Sequence, residues 1–155
     1  MSIPKIAFES FNSEKKSKLA KAVAHNFKSY LVKDYALEYQ KMVQRNLVLS
    51  DMKRVAQGQL NLENEFLEMG GKLLFCEATI FTHYVFCQEK LGETPIWLKE
   101  NYKLSDYAKR FIFTEEEDLF AELPHVVIEG DDFEEQLEFC VEQVDYFFPQ
   151  SHPLS

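Results

Sequence analysis

From Ser13 to Gln57 the chain runs 45 residues without a glycine or a proline. These two residues are the strongest local punctuators of structure, so the stretch predicts helix as its dominant conformation. Leu19, Val23, Phe27, Tyr30 and Leu31 form one apolar stripe at helical spacing, with Lys18, Lys21, His25 and Lys28 on the opposite face. A second stripe runs through Tyr35, Tyr39, Met42, Val43 and Leu47. A pattern of that length predicts breaks near Lys33–Asp34 and at Ser50–Asp51, and a short helix capped by Ser50 that ends before Gly58.

Helical signals continue beyond it. Residues 61–69 read as a helix broken by Gly70-Gly71. The apolar run from Lys72 to Leu91 reads as a buried core helix, too short and too polar at Glu77 and His83 to span a bilayer. Thr94-Pro95 marks a helix start, Ser105 opens a segment through Arg110, and Thr114 with Glu117 matches a capping box. The last helix begins at Asp131 or Asp132, carries Phe133, Leu137, Cys140, Val144 and Phe147 at 4-3-4-3 spacing, and stops at Pro149. Two short segments, 3–8 and 125–129, read as strands that pair with each other. The expected fold is therefore mainly α: a single-domain bundle of five to seven helices over residues 1–149 around a central helix 72–91, with one minor two-stranded β element and a frayed tail at 150–155.

Charge is divided unevenly. Residues 1–57 carry eleven Lys/Arg and five Asp/Glu, whereas residues 111–155 carry thirteen carboxylates and no lysine or arginine. The net charge of −9 argues against direct binding to nucleic acid or an anionic membrane, because each phosphate contact needs a cation. The final helix concentrates the asymmetry. Asp131, Asp132, Glu134, Glu135, Glu138, Glu142 and Asp145 make a face of one sign. Its like charges at i,i+4 oppose helix formation by a few tenths of a kcal/mol per pair, roughly. A solvated acidic surface or a docking face for a basic protein both account for it. The run Glu115–Asp118 is explained by the dipole of a helix start alone.

Catalytic signatures are absent. There is no GxGxxG, Walker loop, GxSxG or HExxH, and the lack of Gly-rich loops argues against nucleotide binding. Cys76, His83 and Cys87 fall on one face of the expected core helix, but no metal-ligand spacing supports a site there, and buried thiols of an apolar stripe explain them. Three cysteines without a CxxC, and no apolar leader, point to a reducing cytoplasm. The reading that results is a non-enzymatic acidic protein of inhibitor, immunity or antitoxin kind, needing no cofactor or metal, that docks a basic protein partner through the 131–145 face. The alternatives are a homo-oligomeric scaffold, pairing the basic N-terminal with the acidic C-terminal helix, and a helical-bundle metal protein or enzyme using His83 and Cys87.

Overall fold

A computed structural model describes residues 2–104 and 106–149. It overturns the bundle. At its centre stands a five-stranded parallel sheet: β1 (Lys5–Glu9), β2 (Tyr30–Val32), β3 (Leu74–Cys76), β4 (Lys109–Phe113) and β5 (Val126–Ile128), in the order β2-β3-β1-β4-β5. Among the described residues seven α-helices connect and cover it: α1 (Ser13–Asn26), α2 (Tyr35–Val43), α3 (Met52–Glu68), α4 (Ile80–Phe86), α5 (Ile96–Asn101), α6 (Glu117–Phe120) and α7 (Phe133–Phe147).

The two expected strands exist but do not pair, because β4 lies between them: Phe8 is opposite Phe111, and Phe113 is opposite Ile128. The expected core helix 72–91 is a strand, a turn, the seven-residue α4 and a π-helical turn at Cys87–Leu91. A parallel strand covered on both faces reads as a continuous apolar run, and at this length it cannot be told from a buried helix by periodicity. Cys76 therefore sits on β3, apart from the helix that carries His83. Among the described residues no three His, Cys, Asp or Glu side chains are grouped as metal ligands.

The long Gly/Pro-free stretch is interrupted by backbone geometry that needs neither residue. Lys28 takes a positive φ of 53° after α1, and Gln44 takes 56° after α2. Asp34 caps α2 through Ala36 N–H at 2.9 Å, which places a break where the sequence predicted one, but β2 is inserted before it. The break at Ser50–Asp51 is a 3-10 turn leading into α3, and α3 runs straight through Gly58. Ser105 and residues 150–155, expected to open a segment and to fray, lie outside the described residues.

Strand alternation sends Ile6, Phe8, Phe75, Phe111 and Phe113 to one face of the sheet, where α1 and α7 cover them. The other face carries Val32, Leu74, Cys76 and Ile112 under α3 to α6. No helix among the described residues is long and apolar enough to cross a membrane.

Candidate ligand site at the carboxyl ends of the strands

β1 leads through α1 toward β2, while its neighbour β4 leads through α6 the other way, toward β5. In open parallel sheets a crevice forms outside the carboxyl ends of the strands where connections diverge like this. A cavity of about 440 Å³ lies outside the carboxyl ends on the β1 and β2 side of that point, lined by Ser10, Phe11 and Ser13 after β1, by Asp34, Leu37 and Gln40 after β2, and by Thr82, His83 and Phe86 of α4.

Its floor is polar, buried and fully engaged. Lys16, only 1% exposed, donates to the Ser10 carbonyl at 3.1 Å and to Asp34 Oδ2 at 3.1 Å. Burial pushes the Asp34 carboxyl up, but Lys16, His83 and the Ala36 N–H together outweigh that and leave it below its ordinary value. His83 Nε2 lies 3.8 Å from Asp34 and 2.9 Å from Gln59 Oε1. Gln59 Oε1 also accepts from Tyr35 N–H, and its amide nitrogen donates to the Lys33 carbonyl, so the Gln59 oxygen needs a proton on His83 Nε2. Burial pushes His83 down to about 4, and Asp34 only partly opposes it, so the ring is neutral. Beside this cluster, Ser17 Oγ donates to Glu77, just past β3, at 3.0 Å.

Beneath the crevice lies a second polar group. Glu9, fully buried at the end of β1, accepts from Thr79 Oγ1 (2.7 Å), Thr82 Oγ1 (2.9 Å) and Arg110 (3.3 Å). Thr79 also caps α4, so the carboxylate fixes where that helix starts.

The residues singled out from sequence lie elsewhere. α7 packs its apolar stripe on α1, and Asp131, Asp132, Glu134, Glu135, Glu138 and Glu142 are exposed, with Asp145 half-buried. None of them lines the crevice. Among the described residues no ion pair joins them to Lys18, Lys21 or Lys28 of the basic helix, although Lys18 lies over the Phe133 ring. Cys76, Cys87 and Cys140 are buried free thiols, and burial pushes all three up, Cys87 to about 12. The acidic run does sit at helix starts, in the 3-10 turn Thr114–Glu116 and the first turn of α6, but it also has partners outside them. Glu115 pairs with Lys15, and Glu116 accepts from Ser10 Oγ and from Phe11 N–H at 2.9 Å.

Lys16-Ser17 is the local signal of this site in the sequence. The phosphate-loop pattern GxxxxGK[ST], set on this pair, puts Ser10 and Lys15 where the two glycines belong. With its glycines replaced the pattern fails as a string, yet it runs from the end of the first strand into the first turns of the first helix.

Strand order, crevice and the position of Lys16-Ser17 together define the doubly wound parallel α/β class in which nucleotides bind at the first β–α turn. Within that class the chain is similar to a crystal structure of NadR protein in complex with NAD and AMP-PNP, with a TM-score of 0.79, 13% identity, and coverage of 94% of this chain and 49% of that one. A second crystal structure, NadR protein in complex with NR, gives a TM-score of 0.77 at 11% identity, covering 94% and 50%. The chain thus spans about half the length of the solved structures it matches. No protein-family model matches it, and no curated protein matches it in sequence. The fold overturns the helical bundle. The α/β fold shared with these structures also contradicts the acidic docking protein of inhibitor or immunity kind, which was argued from the 131–145 face.

Proposed function

We propose that this chain binds a small molecule of the nucleoside or nucleotide class in the crevice at the carboxyl ends of β1, β2 and β3. The observation that carries the reading is the placement of Lys16, Ser17, Asp34 and Glu77 around the first β–α turn, beside a cavity whose volume lies within the usual range for small-molecule sites, roughly 300–1,000 Å³. Phe11 and Phe86 supply apolar surface for a ring. Gln40 and Asn46 supply side-chain donors and acceptors for hydroxyl and amide groups. The solved structures of similar fold hold NAD, AMP-PNP and NR, which makes these three the first probes.

The test is thermal unfolding and calorimetric titration with each probe separately. A ligand at a hundred times its Kd stabilises the folded state by about 2.7 kcal/mol, which for a domain of this size raises Tm by on the order of 5–10 °C. At least one probe is expected to do so, and Phe86→Ala is expected to weaken it. No shift and no heat with all three would overturn the reading.

A further inference from the structure

We infer that the anion-binding turn of this crevice is filled by the chain's own carboxylates, so that the site takes a nucleoside-class ligand without a polyphosphate. The inference rests on the binding reading above and narrows its ligand.

A phosphate cradle needs free backbone N–H groups, a free lysine and glycines that let the backbone curl around the anion. This turn has no glycine, both of its lysines are paired, and four of its backbone N–H groups are already given. Phe11 N–H is given to Glu116, Asn12 N–H to Ser10 Oγ, Lys15 N–H to Asn12 Oδ1 and Lys16 N–H to the Asn12 carbonyl. The last two bonds start α1 at Ser13, three residues before Lys16, so the segment that would wrap a phosphate is already helix. Lys16 is spent on Asp34 and the Ser10 carbonyl.

The carboxylates come from the connection between β4 and β5, residues 114–125. It holds Glu115, Glu116, Glu117, Asp118 and Glu122 and no lysine or arginine. Glu116 binds the turn as an anion would, through one N–H and one hydroxyl, and Glu115 neutralises Lys15. The Lys15 partnership holds the Glu115 carboxyl below its ordinary value. Glu117 is anchored in turn on His125 Nε2 at 3.0 Å. Phosphoryl transfer needs cations around the transferred group, and this connection brings five carboxylates against one histidine, which Glu117 holds, while the cavity wall adds Lys90 over the Phe11 ring. Ser17 and Glu77, bonded to each other, make one hydroxyl and one carboxylate. A magnesium ion is usually held by such a pair only together with substrate phosphates, so without them the donor set does not fit one.

The experiment compares the wild-type chain with Glu115→Gln/Glu116→Gln and with the charge-matched Glu134→Gln/Glu138→Gln on α7, using inorganic pyrophosphate and NR as separate titrants. Wild type is expected to bind NR and to ignore pyrophosphate. Glu115→Gln/Glu116→Gln should bind pyrophosphate at least about tenfold more tightly than wild type, the factor that one charge-assisted hydrogen bond supplies. The α7 variant should gain nothing. Pyrophosphate binding by wild type as tight as by the double variant would overturn the inference. So would no gain in a double variant with wild-type circular dichroism, or an equal gain in the α7 variant. Failure of NR to bind, with the pyrophosphate result intact, would count against the binding reading and leave the filled turn standing.

Discussion

At the scale of single residues the molecule turns on Lys16. A lysine almost fully out of water is tolerated only when paired, because its charge loses several kcal/mol of hydration. Asp34 supplies that pairing at 3.1 Å. Lys16→Met is therefore expected to destabilise by about 3–5 kcal/mol, the usual result of orphaning a buried charge. Asp34→Asn should do similar damage while keeping an oxygen for the Ala36 N–H. The paired variant Lys16→Met/Asp34→Asn should lose less than the sum of the two, and urea-unfolding midpoints of all four proteins would measure the coupling. Additive losses would mean that the pair does not act as one. Nothing in the local sequence marks Lys16 among the lysines at 15, 16 and 18 as the buried one. Its partner is 18 residues away, and Glu77, the partner of Ser17, is 60 away. Such a site becomes visible only once the strand order is known.

Among the elements, the sequence shows its helices more readily than its strands. Helices start near Asn12, Asp34, Thr94-Pro95 and Asp132 and stop near Gly92 and Pro149, all local signals, although only Asn12 and Asp34 cap through their side chains. β2 and β3 were hidden for a reason that is also physical. Each is only three residues long, and β3 is apolar on both faces with no alternation to betray it. Gly58 misled differently. It lies inside α3 to admit the Tyr35 ring, since a Cβ there would sit 2.2 Å from Tyr35 Cε2. Gly58→Ala gains up to about 1 kcal/mol of helix propensity. The overpacking should exceed that and leave a net loss of about 1–2 kcal/mol. Adding Tyr35→Leu should restore stability, and thermal unfolding of the single and double variants would show it. A Gly58→Ala protein as stable as wild type would mean that the ring moves aside without cost.

Across the whole molecule, pH reports how the crevice is buried. His83 takes a proton at about 4 when folded, against about 6.5 when unfolded. Between these values the unfolded chain binds the extra proton, so stability should fall as pH drops from 6.5 to 4. His125 has the opposite sign. Glu117 and the Leu123 carbonyl raise it, so its contribution is complete below 6.5 and is lost as pH rises through its folded value. Of these two histidines only His83 gives that slope between 6.5 and 4, and His83→Gln should flatten it in urea titrations at successive pH values. An unchanged slope would place the origin elsewhere. The overall architecture was legible only in its two terminal strand segments, because a parallel sheet is made of contacts far apart in sequence. The same sheet ends on both sides in strands of three residues, β2 and β5, while its longer apolar strands β1 and β4 stand inside. Outer strands this short leave few unpaired backbone groups for another chain to copy. The folded protein is thereby guarded against fibril growth, and any misassembly must wait until the sheet itself has opened.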